Sequence, residues 1–312
     1  MKICVAGVGG VGGFIAAALI EQYDSVTLLA RGARAQALAE NGLHIDSPLF
    51  ETNVLRPAAV ITQAEQAEVQ DVIFICVKNN QLEAICRQLA PIAGPETVIV
   101  PIMNGADPAD RVREYLPGRR VADSLIYIIA YTDKEYRLHH DSGYATLYVG
   151  ARQPDSPEHR AAAMVCELFA PTKVDCRLSS DITADIWKKY ILNCAYNIIT
   201  TYYDATIGEI RGLPSGADDY HALAAEACLI ATALHIPTPE HYADTLTDRF
   251  LHKLGDSDTS SLQRDVAAGR EGELEVFSGY LLRQAEALGL SLPITEKFYR
   301  GIKERLAACA RS

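Results

Sequence analysis

A glycine-rich turn directly behind a short apolar run constrains this chain more than any other feature. The turn, Gly7-Val8-Gly9-Gly10-Val11-Gly12, fits the pattern GxGxxG and lies between a strand-like run at residues 2–6 and a helix-like run at residues 14–21. In a strand–turn–helix unit, such glycines let the backbone approach a pyrophosphate at the positive end of the helix. The turn therefore predicts a dinucleotide-binding loop, and the alternative is a tight turn without a ligand.

Strand-like and helix-like runs alternate over the first half of the chain. The further strand candidates are residues 26–30, 71–77 and 97–101. Between the last two, apolar residues at helical spacing predict a helix that lies on the sheet (Leu82, Ile85, Cys86 and Leu89). The alternation is typical of an α/β fold with a parallel sheet covered on both faces.

From about residue 181 the pattern changes to successive amphipathic helices separated by glycine and proline. The 312 residues also exceed one usual domain of about 100 to 200 residues. We therefore predict an N-terminal Rossmann-type dinucleotide-binding domain at residues 1–178 and an all-helical C-terminal domain at residues 179–312.

Three further extended segments precede that change, near residues 121–131, 136–140 and 145–149. The turn residues Asp141-Ser142-Gly143 separate the last two segments, which predicts an antiparallel addition to the sheet. The adjacent His139 and His140 would point to opposite faces of a strand. Because the remaining histidines have no ligand spacing either, we predict no metal site.

The charge balance argues against a nucleic-acid partner. The formal net charge is -11 and the pI is near 5.2, whereas nucleic-acid binders meet phosphates with many lysines and arginines. A phosphate-bearing ligand would need cations placed locally.

The N-terminus could be mistaken for a secretory signal, because it is apolar and contains Ala16-Ala17-Ala18. The glycines interrupt this run, however, and a second strand-like segment follows at the spacing of a βαβ unit. No segment offers the approximately 18 uninterrupted apolar residues of a membrane span. Eight scattered cysteines without a CxxC pair indicate free thiols. We predict a cytoplasmic protein without membrane association.

The residue that follows the second strand indicates the cofactor. An acid at this place would hold the ribose 2′-hydroxyl of NAD, but the residue here is Arg31, with Arg34 nearby. The planar guanidinium of arginine suits a 2′-phosphate. Arg31 therefore favours NADPH over NADH, and the alternative is a solvated loop cation.

A polar row in the C-terminal half marks a second candidate site. Lys189, Asn193 and Asn197 are spaced four residues apart, so successive side chains advance only about 40° around a helix. Apolar residues surround the row, among them Ile191 and Ile198. Because buried amides need partners, the row indicates a ligand cleft, with a solvated helix face as the alternative.

Together these motifs resemble the ketopantoate reductase (2-dehydropantoate 2-reductase) family in order and spacing over nearly the whole chain. The matching elements are the glycine turn, Leu28-Leu29-Ala30-Arg31-Gly32, Val77-Lys78-x-x-Gln81, Asn104-Gly105, Trp187-Lys188-Lys189 with Asn193 and Asn197, and Ser260-Ser261 through Asp265 with Glu273 downstream. The helix with the lysine and two asparagines is the most specific of them.

The resemblance implies that NADPH reduces 2-dehydropantoate, a 2-oxo acid, to pantoate, as in pantothenate biosynthesis, with substrate bound between the two domains. It implies Lys189 as general acid, Asn193, Asn197, Ser261 and Glu273 as substrate contacts, and Lys78 and Asn104 near the nicotinamide. Helical second domains often supply dimer contacts, so a homodimer is one alternative, but the sequence leaves the oligomeric state open.

Three segments depart from the usual family pattern, at residues 101–107, 125–131 and 198–203. They leave the identity of the acid open more than the fold or the reaction type. The alternatives are a reductase of the same architecture with another 2-oxo acid as substrate, and a non-catalytic NADPH sensor. Catalytic turnover would distinguish the sensor from the enzymes.

Overall fold

The structure, a computed structural model, describes residues 1–309, and the chain divides into two compact units. The first unit spans Met1–Asp185, and the second begins at Ile186. The last strand ends at Leu178 and the next helix begins at Ile182. The predicted division between residues 178 and 179 therefore lies at the start of this connection.

Strands are confined to the first unit among the described residues. In chain order they are β1 (Ile3–Ala6), β2 (Val26–Leu29), β3 (Leu43–Asp46), β4 (Val54–Leu55), β5 (Ala59–Ile61), β6 (Val72–Ile75), β7 (Val98–Pro101), β8 (Arg120–Val121), β9 (Asp123–Tyr127), β10 (Ala130–Thr132), β11 (Leu138–His140), β12 (Thr146–Gly150) and β13 (Asp175–Leu178). The helices of this unit are α1 (Gly10–Ile20), α2 (Gly32–Asn41), α3 (Leu82–Leu89), α4 (Pro108–Tyr115) and α5 (Pro157–Phe169).

The main sheet has six strands in the order β5-β2-β1-β6-β7-β8, all parallel. Numbered along the chain within this sheet alone, the order is 3-2-1-4-5-6, that of a doubly wound Rossmann fold. The four predicted strands are confirmed, each slightly shorter than predicted. The α/β prediction is therefore confirmed.

Both faces of the main sheet are buried, which is why its strands are apolar at successive positions. Ile3 and Val5 belong to a core that includes Phe14 of α1. Cys4 and Ala6 belong to the opposite core, which includes the whole predicted stripe of α3 (Leu82, Ile85, Cys86 and Leu89). The helix predicted between the third and fourth strands is thus confirmed.

The prediction that the extended segments add antiparallel strands to the main sheet was wrong about their location. The extended segments form two separate sheets, β10-β11-β3-β4 and β13-β12-β9. Asp141-Ser142-Gly143 does not close a hairpin, because β11 pairs with β10 and β3 whereas β12 pairs with β9 and β13. The Ser142 hydroxyl lies 2.9 Å from His140 Nε2 and 3.0 Å from the Tyr144 carbonyl oxygen, so the turn is stabilised by its own side chains.

The two adjacent histidines point to opposite sides of β11, as predicted. His139 lies 2.8 Å from an Asp133 carboxylate oxygen, whereas His140 is 1% exposed and packs on the ring of Phe14. Within residues 1–309, no three His, Cys, Asp or Glu side chains are grouped as metal ligands would be. No helix in this range has both the length and the apolar content that crossing a bilayer requires.

Helices account for the regular structure from residue 182 to the end of the described chain. They are α6 (Ile182–Tyr203), α7 (Ile207–Arg211), α8 (Gly216–Ala233), α9 (Tyr242–His252), α10 (Ser261–Ala267), a π-helix at Glu275–Gly279, α11 (Tyr280–Leu288) and α12 (Pro293–Cys309). Stacked aromatic pairs fill the core, Tyr202 on Phe298 and Tyr220 on Phe250. The predicted helical C-terminal region is confirmed over the described residues.

Candidate functional site

The glycine turn is packed tightly on three sides. A Cβ on Gly7, which has φ 92°, would lie 2.7 Å from Val77 Cγ1. A Cβ on Gly12 would overlap the carbonyl oxygen of Gly7, and one on Gly10 would overlap the carbonyl oxygen of Ala130. Only glycine permits these approaches, which hold the start of α1 against the ends of β1 and β6.

Gly9 differs from its neighbours, because it faces open space. Apart from Gly9 itself, its two chain neighbours and the nearby backbone of α1, no atom of the described residues lies within 4 Å of the position that a Cβ on Gly9 would take. Gly9 is the N-cap of α1, so backbone N–H groups and the positive end of the helix dipole lie beside this space. The turn therefore has the form that a pyrophosphate requires.

Three further predicted cofactor residues follow the carboxyl ends of neighbouring strands in the main sheet. Arg31 follows β2, Lys78 follows β6 and Asn104 follows β7. Arg31 and Lys78 are exposed and Asn104 is half-buried. Because β2, β1, β6 and β7 are adjacent, the fold brings these residues and the glycine turn to one edge, where doubly wound sheets bind ligands. Their contacts with a cofactor stay a prediction.

Asn79, which sequence reasoning missed, connects two of these strand ends. Its Nδ2 donates to the Asn104 carbonyl oxygen at 2.7 Å, and its Oδ1 accepts from Arg111 at 3.2 Å. The only sequence signal was a polar residue close behind a buried strand. Asn79 fixes the main chain beside Lys78 and Asn104.

Arg34, the second cation near the end of β2, donates to backbone carbonyl groups. Its Nε donates to the Val8 carbonyl oxygen at 3.0 Å and its Nη1 to the Tyr136 carbonyl oxygen at 2.5 Å. Arg31, by contrast, is exposed and donates to Gln88 Oε1 at 2.9 Å. Arg31 is thus the more accessible of the two cations.

In the second unit, α6 carries the predicted polar row. Trp187 and Tyr190 are buried and pack edge to face, which fixes this part of the helix. Lys189 and Asn193 are half-buried, and Asn197 is only 5% exposed. The row therefore runs from partly accessible positions into the core, and α6 does not present it as a solvated face.

Lys189 has the perturbed electrostatics of a reactive amine. Burial of its ammonium group lowers the pKa to about 8, and the Glu273 carboxylate opposes this by raising the pKa. The neighbouring acids have other partners, since Glu271 pairs with Lys303 at 2.7 Å and Glu275 with Arg283 at 3.1 Å. The structure thus distinguishes Glu273 from Glu271 and Glu275, which the sequence alone could not do.

A π-helix follows Glu273 and is tied to α6. The Tyr190 hydroxyl donates to the Val276 carbonyl oxygen at 2.7 Å, and the Cys194 thiol donates to that of Phe277 at 3.2 Å. π-Helical turns shift backbone hydrogen bonds by one residue and often occur at functional sites. These two contacts hold the Glu273 segment next to Lys189. The sequence gave no signal for the π-helix.

Asn197 and Ser261, both predicted substrate contacts, lie next to each other. The Ser261 hydroxyl donates to Asn197 Oδ1 at 3.3 Å, and the Leu262 backbone N–H donates to the same oxygen at 3.4 Å. Asn197 Nδ2 in turn donates to the Asn193 carbonyl oxygen at 3.1 Å. Asn197 therefore joins α6 to the start of α10, and its predicted substrate contact remains a prediction.

Two family models match the chain in tandem. The model "Ketopantoate reductase PanE/ApbA" matches residues 3–154, and the model of the C-terminal part of the same family matches residues 181–306. The chain belongs to the ketopantoate reductase PanE/ApbA family. It is an oxidoreductase, and reductases of this family use a nicotinamide cofactor.

Individual relatives agree with this assignment. An uncharacterized oxidoreductase of Bacillus subtilis, YkpB, is 29% identical over 307 residues, which cover 97% of this chain and 98% of the relative. The crystal structure of 2-dehydropantoate 2-reductase from Porphyromonas gingivalis is 27% identical, has a TM-score of 0.81, and covers 96% of this chain and 98% of its own. A D-mandelate dehydrogenase structure with NADH and anilino(oxo)acetate shares the fold at 18% identity, with a TM-score of 0.88 and 99% of each chain covered.

Because Gly9 and Gly12 have different surroundings, substitutions at these two positions can test whether the glycine turn binds the nucleotide. Gly9→Val has space for its side chain and an extended backbone, φ -91°, so its free energy of unfolding should change by less than about 1 kcal/mol. The new side chain would fill the space in which we expect the pyrophosphate, so the Kd for NADPH and NADH should rise by at least about tenfold.

The control is Gly12→Val, which must displace the Gly7 carbonyl and should lose about 1–3 kcal/mol of stability by overpacking. Urea unfolding and fluorescence titration measure the two effects. Unchanged binding by Gly9→Val would contradict the proposed position of the pyrophosphate.

Proposed function

We propose that this protein is an NADPH-dependent reductase of a small 2-oxo acid, with 2-dehydropantoate as the substrate and Lys189 as the general acid. The observation that carries the proposal is the position of the half-buried Lys189 near the Glu273 carboxylate. Burial lowers the pKa of Lys189 to about 8, although the carboxylate acts in the opposite direction. An amine with this pKa is still protonated near neutral pH and gives up its proton more readily than an ordinary lysine.

The reaction needs an acid of this kind. A nicotinamide cofactor bound here would supply a hydride to the 2-oxo carbon of the substrate, so negative charge would develop on the carbonyl oxygen. The Lys189 ammonium stabilises that charge and donates a proton to the oxygen, which gives the 2-hydroxy acid. The buried side chains of Trp187 and Tyr190 fix this part of α6 and thereby keep the amine in place.

The other predicted substrate residues supply hydrogen bonds of the required types. Asn193 and Ser261, both at least partly exposed, can donate to a substrate carboxylate. The Glu273 carboxylate can accept from the 4-hydroxyl group of 2-dehydropantoate. A site built around such a hydroxyl discriminates strongly against an analogue that lacks it, because the acceptor is then left unpaired.

Support for NADPH over NADH comes from the end of β2. The exposed Arg31 is in the place where an NAD-binding protein has an acid, and its guanidinium matches a 2′-phosphate. The D-mandelate dehydrogenase structure of the same fold contains NADH, so the proposed preference of this chain for NADPH rests on Arg31 and not on the fold.

A second candidate is the reduction of another 2-oxo acid. The observation that favours it is the position of a segment that departs from the family pattern, because Ala130 in residues 125–131 contacts Gly10 of the cofactor turn. This candidate is also supported by the D-mandelate dehydrogenase of similar fold, which was solved with anilino(oxo)acetate.

A substrate panel tests the reaction and its substrate. We expect NADPH oxidation, followed by absorbance, to have its highest kcat/KM with 2-dehydropantoate, and removal of the 4-hydroxyl group to lower kcat/KM by about 10²-fold or more. A higher kcat/KM for phenylglyoxylate would favour the second candidate. NADPH binding without turnover of any acid would establish a nucleotide-binding protein.

Lys189→Ala tests the general acid. The variant should lose about 10²- to 10⁴-fold in kcat and keep its Kd for NADPH. In the unmodified enzyme, kcat for reduction should fall as pH rises through about 8, because the ammonium loses its proton. The control is Lys188→Ala, the adjacent lysine, which should keep most of the kcat. An equal loss in both variants would exclude a specific role for Lys189.

Glu273→Gln tests the electrostatic coupling. The carboxylate raises the pKa of Lys189, so its removal should move the alkaline limb of the kcat profile to lower pH. KM for 2-dehydropantoate should rise while KM for NADPH stays the same. The control is Glu271→Gln, whose acid pairs with Lys303. A shift of the limb to higher pH would contradict the assignment.

A further inference from the structure

The hairpin formed by β10 and β11 lies directly on the cofactor turn of the first unit. The two strands pair from Ala130–His140 to Thr132–Leu138. The Ala130 carbonyl oxygen approaches Gly10 so closely that only a glycine fits there, and Leu138 is in van der Waals contact with the Cβ position of Gly13. Both strands of the hairpin therefore touch the first turn of α1.

The turn of this hairpin is held in one conformation by Asp133. One carboxylate oxygen accepts from the backbone N–H groups of Glu135 and Arg137, both at 2.9 Å, and the other lies 2.8 Å from His139 Nε2. Tyr136 adopts φ 65°, a left-handed conformation that costs free energy in a tyrosine and persists only where its surroundings enforce it. The Tyr136 carbonyl is thus fixed in direction.

Arg34, from the first turns of α2, joins that carbonyl to the cofactor turn. Its Nε donates to Val8 and its Nη1 to Tyr136, and its guanidinium carbon lies 5.5 Å from the centre of the Tyr136 ring. Burial lowers the Arg34 pKa, and Tyr136 and Asp133 oppose this. The third nitrogen, Nη2, is covered by protein and has no acceptor among residues 1–309. Arg34 therefore does not face solvent as a direct phosphate ligand would.

We infer that Arg34 is a positioning residue for nucleotide binding, which fixes the Val8–Gly10 backbone against the β10–β11 hairpin so that its N–H groups face the pyrophosphate. The inference rests on the proposed position of the nucleotide over the glycine turn. The pyrophosphate is common to NADPH and NADH. Arg34 must therefore affect both nucleotides equally, in contrast to Arg31, which would recognise the 2′-phosphate.

The test compares Kd for NADPH and NADH, measured by fluorescence titration of the full-length protein. Arg34→Met keeps the aliphatic stem and removes the donors. We expect both Kd values to rise by the same factor, about tenfold or 1.4 kcal/mol, with an unchanged ratio between them. The matched control, Arg31→Met, should raise the Kd for NADPH alone and so change the ratio.

Each other outcome is decisive. If Arg34→Met weakens NADPH selectively, Arg34 is a phosphate ligand and the inference is overturned. Unchanged Kd values for both nucleotides overturn it as well. Arg34→Lys retains the charge and can donate to one of the two carbonyls, so both Kd values should rise equally but less, which also covers the case in which Arg34→Met does not fold.

The proposed function can fail separately. If Arg31→Met leaves the NADPH to NADH ratio unchanged, the NADPH preference is wrong, but an equal effect of Arg34→Met on both nucleotides still supports the inference. If Gly9→Val binds normally, the position of the nucleotide itself is wrong and the inference falls with it.

Discussion

The first unit depends on a close approach between two backbones, that of Gly12 at the start of α1 and the carbonyl of Gly7 at the end of β1. A side chain at Gly12 would push α1 away from the sheet, and Phe14 and Ile15 would leave the core that they share with Ile3 and Val5. The same approach directs the N-terminus of α1 to the carboxyl edge. Packing and nucleotide binding thus have one steric origin.

The second unit is organised around a charge that burial disfavours. An ammonium group in a partly buried position is stabilised by a nearby carboxylate, and Glu273 provides it for Lys189. The two acids beside Glu273 are drawn to Lys303 and Arg283 instead. The hydrogen bonds of Tyr190 and Cys194 with the π-helix hold the Glu273 segment against α6. A buried cation of lowered pKa has the property that acid catalysis at neutral pH uses.

The parts of the fold that the sequence predicts are those with local causes. Apolar strands, the α3 stripe and the polar row of α6 follow from residue spacing. The glycine turn follows from close backbone approaches that leave no space for a Cβ. Strand partners were predicted less well, because β11 pairs with β3 nearly a hundred residues earlier and no local pattern encodes that choice. The contacts of Arg34 and Asn79 could not be predicted for the same reason. Each acts on carbonyl groups that only the tertiary fold brings near.

The contact between the hairpin and the cofactor turn is made by the main chain, since the carbonyl oxygen of Ala130 is the atom that approaches Gly10. Replacing the exposed side chain at position 129 or 131 does not remove that oxygen. Ile129 and Tyr131 are in fact largely exposed. Positions 129 and 131 can therefore vary, as residues 125–131 do here relative to the usual family pattern, while the main-chain contact with the glycine turn is kept.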